Sequence, residues 1–219
     1  MKRAVNKPLD ANERERRDKR HRALVRGSVQ SAAPVLRALR SIGFEVNSIA
    51  DIMNDPRVSG LKERPRLNAA AADLLLEHLA GPYHHLVKQD IVRVLTGFKA
   101  VRTVDRCIEV LVHSLEPRVA EAEIEFALRI DCEHARAYST RDELAPFNER
   151  QWDEYIWALV NKLVTDAPAS RLQALLGILR NEHLPGRTRK YLAKSILRRR
   201  RGLKVPASLQ SELEASLED

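Results

Sequence analysis

Residues 74–95 read "LLLEHLAGPYHHLVKQDIVRVL", and residues 174–196 read "ALLGILRNEHLPGRTRKYLAKSI". With one set above the other, Leu75, Leu76 and Leu79 fall on Leu175, Leu176 and Leu179. After a slip of one residue, Lys88, Ile91, Arg93 and Leu95 fall on Arg189, Leu192, Lys194 and Ile196. Each stretch spells a leucine-rich helix, a tight break, and a second helix with a basic residue in its first turns. A lone helical hairpin cannot bury its apolar stripe, whereas stacked hairpins bury a continuous core. The repetition therefore predicts an all-α chain built from helix pairs.

Outward from these two units the same period continues. Segments 104–130 and 152–179 repeat the rhythm more loosely. "SVQSAAPVLRALRSIGF", residues 28–44, turns Val35, Leu36, Leu39 and Ile42 to one face and stops at Gly43 in a C′ position. "NSIADIMND", residues 47–55, predicts a shorter helix capped by Asn47 or Ser48. A loop with Pro56, Gly60 and Pro65 follows it. Residues 131–150, "DCEHARAYSTRDELAPFNER", lose the period and read as an insert or loop. Sustained period-2 alternation and Asn-Gly or Asp-Gly turns are both missing, so strands are not expected.

Three stretches carry a resemblance: "APVLRALRSIGFEVNSIADIMN", "AAADLLLEHLAGPYHHLVKQDIVRVLTG" and "YIWALVNKLVTDAPASRLQALLGILRNEHLPGRTRKYLAKSIL". Together they resemble small bacterial HEAT-repeat proteins over residues 28–200. The resemblance implies an α-solenoid of HEAT-like antiparallel helix pairs that works through macromolecular recognition. The chain departs from that pattern at 131–150, in its charged N-terminal segment and in its run of arginines. The expected organisation is a basic extension over 1–27, a HEAT-like repeat domain over 28–201, and a tail over 202–219 in which "PASLQSELEASLE" can form a short helix.

The net charge of +8 is unevenly placed. Residues 1–26 hold ten Lys/Arg against four Asp/Glu, and residues 186–204 hold nine Lys/Arg and no acid. Between them, 27–185 carry nineteen against twenty-two. Basicity thus belongs to two ends that flank a near-neutral body, a pattern that favours an electrostatic footprint over a uniformly cationic surface. The longest apolar run, "AAAADLLL", is broken by Asp73 and far short of the roughly 20 residues of a membrane span. The charged N-terminus lacks the apolar core of a secretory signal, and two cysteines build no disulfide framework. These features predict a cytoplasmic protein without membrane association.

The segment "YLAKSILRRRRGLK", residues 191–204, is the candidate binding element. On a helical wheel Arg187, Lys190, Lys194, Arg198 and Arg201 fall within about a quarter-turn, opposite Leu192, Ala193, Ile196 and Leu197. Such a stripe can follow phosphates. Its simpler reading is a polar cap on a terminal repeat, with cations complementing the helix dipole. The alternating charges of "NERERRDKRHRALVRG" read first as a solvated helix or arm, and otherwise as a grip on nucleic acid. Helix-turn-helix, zinc-finger and aromatic RNA-binding patterns are not found.

Chemistry-bearing residues are few. His78, His84 and His85 lie close together, and Cys132 lies near His134, but neither group has zinc-ligand spacing. No metal or cofactor is expected. Trp152, Tyr155 and Trp157 with Asp153 form an aromatic cluster that reads first as core. The same cluster raises the alternative of a HEAT-like alkylpurine DNA glycosylase, in which a carboxylate stabilises a cationic sugar while aromatics hold the base. Function is therefore read as a non-enzymatic scaffold whose partner is a protein. Nucleic acid gripped by the basic ends is the alternative.

Overall fold

The computed structural model describes residues 11–53 and 67–199, together with Leu213 and Leu217. It contains α1 (Ala11–Ser41), a 3-10 turn (Ile49–Ile52), α2 (Ala69–Leu79), α3 (His85–Leu95), α4 (Val101–Ser114) and α5 (Pro117–Ala135). After these come α6 (Arg141–Asp166), a second 3-10 turn (Ala169–Arg171), α7 (Leu172–Leu179) and α8 (Gly186–Arg199). No strand occurs among the described residues, and the fold class is all-α. The loop with Pro56, Gly60 and Pro65 lies outside them.

Local chemistry sets the helix ends. Gly43 takes a positive φ of 89° that other residues rarely adopt. There its N–H donates to the Arg40 carbonyl (3.0 Å) and the Phe44 N–H to the Leu39 carbonyl (3.1 Å), satisfying the last turn of α1. Ile42 sits beyond that turn and is exposed, against its expected inward position. Asn68 caps α2 by accepting the Ala71 N–H at 2.8 Å. Ser48 precedes the first 3-10 turn, where its N–H and that of Asn47 both donate to Asp51 Oδ2 at 2.8 Å.

The expected insert at 131–150 is not there. Residues 131–135 finish α5, a five-residue connection follows, and α6 starts at Arg141. Thr140 and Glu143 form a reciprocal capping box, Thr140 N–H to Glu143 Oε2 at 3.1 Å and Glu143 N–H to Thr140 Oγ1 at 3.4 Å. Periodicity vanishes because the first half of α6 buries only Leu144 and Asn148, one apolar and one polar, on either side of Pro146, while the helix as a whole is central. It packs against α3, α4, α5 and α8. Its buried residues Leu144, Asn148, Trp152, Tyr155, Ile156, Ala158, Leu159, Val160, Lys162 and Leu163 cover more than half its circumference.

The expected division after residue 27 also falls inside a helix. Ala23 and Leu24 of α1 are buried with Leu128, Ala135 and Leu144 in a small second core, separate from the main one. Gly27 makes this approach close: a Cβ there would lie 3.2 Å from both Ile130 Cγ2 and His134 Nδ1 of α5. At the other end, Leu213 is fully buried in the main core and Leu217 is exposed. The other residues of the expected tail lie outside the described ones.

Candidate functional site

The structure puts the predicted basic stripe on the open face of α8. Thr188, Leu192, Ala193, Ser195 and Ile196 are buried, while Arg187, Lys190, Lys194 and Arg198 are exposed. Arg187 pairs with Glu154 of α6 at 3.3 Å. No described carboxylate pairs with Lys190, Lys194 or Arg198, and Arg201 lies outside the described residues. Two polar clamps hold α8 in place. Tyr191 donates to Asn161 Oδ1 at 2.6 Å, and Arg189 braces the preceding turn through the carbonyls of Asn181 (2.9 Å) and Glu182 (3.1 Å).

A second assembly, unforeseen from the sequence, lies where α3, α5 and α6 meet. His84 caps α3, accepting the Leu86 N–H on Nδ1 at 3.2 Å, so its proton sits on Nε2. That proton goes to Asp131 Oδ1 at 3.2 Å, and Asp131 Oδ2 accepts from Asn148 Nδ2 at 3.1 Å. One and two turns further along α6, Trp152 and Tyr155 are buried. The His85 ring stacks on Tyr155 with centroids 6.2 Å apart, and Lys88 Nζ lies 5.3 Å over the same phenol. Lys88 reaches Glu123 Oε1 at 2.6 Å, and Ser114 Oγ donates to that oxygen at 3.4 Å.

Despite its His–Asp pair, this junction is not arranged for acid–base catalysis. A general base needs a free nitrogen facing a substrate. Both nitrogens of His84 are committed, and His84, His85, Asp131 and Asn148 are closed to solvent. Burial, then the neighbouring His84 and Lys88, pushes His85 down to about 3, so it stays neutral inside the fold. Its two ring nitrogens, Asn148 Oδ1 and Trp152 Nε1 have no hydrogen-bond partner among the described residues. A similar clasp fixes the α3–α4 loop. Lys162 bonds to Asp166 Oδ2 (2.6 Å) and the Phe98 carbonyl (3.0 Å), and Asp166 also accepts the N–H of Gly97 (2.8 Å).

Solvent reaches a groove of about 810 Å³ between α1 and the end of α5. Val25 and Val29 of α1 lie on its floor, 41% and 58% exposed, with Ala137 and Tyr138 across from them. Lys19, Arg22, Arg26 and Arg136 supply positive charge, against the single carboxylate of Glu133. Lys19 is partly neutralised by Glu15 at 2.7 Å, while Arg22 bonds to the Asp18 carbonyl at 3.3 Å and keeps its charge. His134 at the groove edge donates from Nδ1 to the Ile130 carbonyl at 2.9 Å. The sequence signal for the groove was the pair of apolar residues, i and i+4, inside a basic run.

Among the described residues, the aromatic cluster lines none of the surface grooves. Trp152 and Tyr155 are buried, Trp157 packs half-buried on Tyr191 at 5.6 Å, and Asp153 is exposed. His78 is held by Tyr83 at 2.6 Å, away from the His84 and His85 junction. Among the described residues no three His, Cys, Asp or Glu side chains are placed to hold a metal ion. Burial pushes the Cys107 thiol up to about 11, and both cysteines are free. No described helix is long and apolar enough to cross a membrane. No family model matches the chain, and neither do curated proteins or solved structures.

Proposed function

We propose that the chain is a non-enzymatic HEAT-like helical scaffold that binds a protein partner on its surface. The observation that carries this reading is the contrast between a closed polar interior and an open groove. The buried His84–Asp131–Asn148 junction spends its hydrogen-bonding groups on joining helices, while Val25 and Val29 remain exposed inside a cationic rim. Helices α2/α3, α4/α5 and α7/α8 pack as consecutive pairs, in keeping with a HEAT-like arrangement. The partner would be met in a cytoplasmic setting. Cross-linking in the native cells, followed by purification at high salt, tests this: a stoichiometric protein partner is expected. A catalytic turnover, or nucleic acid as the sole stoichiometric partner, would overturn it.

One observation favours a second reading. Lys190, Lys194 and Arg198 share one exposed face of α8 with no described acid opposite them. That face could follow the phosphates of DNA or RNA. Affinity would then fall steeply with salt, with a slope of about −0.9 per duplex phosphate contacted. A mobility shift on duplex DNA at two salt concentrations, repeated with Lys194→Glu and Arg198→Glu, separates the readings. An unchanged weak affinity in the variant would leave those cations as the solvated outer face of α8.

A further inference from the structure

We infer that the groove between α1 and α5 docks an acidic amphipathic helix of a protein partner. This rests on the scaffold reading and adds the place and the chemistry. Val25 and Val29 stand one helical turn apart, so their exposed side chains form a short apolar stripe parallel to α1. Arg22 and Arg26 on α1 and Arg136 across the groove carry charge beside that stripe. From Lys19 to Gln30 the floor runs eleven residues, or about 16 Å at 1.5 Å per residue, room for three turns of a docked helix.

The complementary ligand follows directly from this lining. Leucine-like residues at i and i+4 would cover the valines, and carboxylates flanking them would meet the arginines. A nucleic acid would use the arginines but not the valines, since bases bind protein surfaces by stacking on aromatic rings, and the lining offers one tyrosine, Tyr138, besides His134, which is already bonded to the Ile130 carbonyl. Glu133 is the one acid in the lining, so a basic helix would meet repulsion along most of the length. Gly27 lies behind the groove, where α1 meets α5. Its missing side chain lets α1 settle against Ile130 and His134, which fixes the groove's width.

The test is fluorescence anisotropy with the full chain and two labelled peptides of identical acidic composition. In one, leucines recur at i, i+4, i+7 and i+11. In the other the same residues are shuffled so that leucines surround the helix. The patterned peptide should bind at least about tenfold more tightly at low salt, a difference of 1.4 kcal/mol. Val25→Ser with Val29→Ser should erase that preference without lowering the melting temperature, since both valines are exposed. Arg22→Glu with Arg26→Glu should weaken both peptides. Equal binding of the two peptides, or binding of neither, overturns the inference. So does a DNA duplex that competes fully while the valine variants change nothing. If cross-linking in native cells finds a partner that the valine variants still bind, the groove fails and the scaffold reading stands. If it finds no protein partner, the scaffold reading itself fails.

Discussion

The α2–α3 and α7–α8 hairpins follow one pattern yet lead different lives. Ile91 and Leu192, at matched positions, are both fully buried, and so are Leu95 and Ile196. The matched cations diverge. Lys88 lies inside, bonded to Glu123 beside the Tyr155 ring, whereas Arg189 lies half-buried and holds backbone carbonyls of the turn before α8. Neighbours make the difference. Helix α3 is covered by α1, α2, α6 and the first 3-10 turn, while α8 packs on α6 and α7. A basic residue in a helix's first turns becomes a buried partner or a surface brace according to what is stacked above it.

Removing the cation is the harshest way to break this comparison. Lys88→Ala should destabilise the fold by about 3–5 kcal/mol in urea titrations, because Glu123 would lose its partner in a mostly buried place. Arg189→Ala should cost about 1.5 kcal/mol, the scale of charged hydrogen bonds in partial solvent. Similar losses would show that position in the stack does not matter. The paired change Lys88→Met with Glu123→Leu should recover most of the first loss.

Acid sharpens the same contrast. His85 is matched by exposed Gly186 in the other hairpin. Its folded value is near 3 against an ordinary 6.5, so the unfolded chain takes up a proton between those values that the folded chain refuses. Stability from this group is complete above pH 6.5 and drains as pH falls toward 3, by on the order of 4 kcal/mol. His84 at the N-cap of α3, Lys88 on α3 and Tyr155 on α6 lie around it. His85→Phe keeps the stacked ring and removes the proton site. Urea titrations at pH 7 and pH 4.5 should show a smaller acid loss in the variant, with equal losses counting against the assignment.

Milder changes should erase the contrast. Ile91→Ala and Leu192→Ala should each cost about 3 kcal/mol, since both leave a cavity in one continuous core. Lys194→Glu and Arg198→Glu should each move stability by no more than about 0.5 kcal/mol, being exposed and unpaired among the described residues. A larger loss at Lys194 or Arg198 would mean that the outer face of α8 is covered in the folded chain.

Helices with one wet face were legible from the chain. The leucine spacing of α2 and α7 and the inward Leu192, Ala193 and Ile196 of α8 all stand where the period put them. Helix α6 was hidden in its first half because Leu144 and Asn148 both face the interior, one apolar and one polar, and because Pro146 lies within it. The "TRDE" box at 140–143 was the available signal for its start. The polar junction stayed hidden for another reason. His84, Glu123, Asp131 and Asn148 come from three helices, and no spacing rule links residues that only packing brings together. The groove was half legible: the basic run was plain, but its apolar floor depends on Gly27 and on where α5 ends.

Helix α6 has one more consequence, for the modularity of the chain. An array whose units touch only their neighbours can be lengthened or trimmed a unit at a time, and its ends can fray while the middle holds. Here α6 reaches back to α3, more than forty residues earlier, and forward to α8. Deleting the α7–α8 hairpin would strip one flank of the helix on which the α2–α3 hairpin also rests. The chain should therefore melt as one cooperative unit, with α3 and α8 amides exchanging hydrogen at one common rate set by global opening.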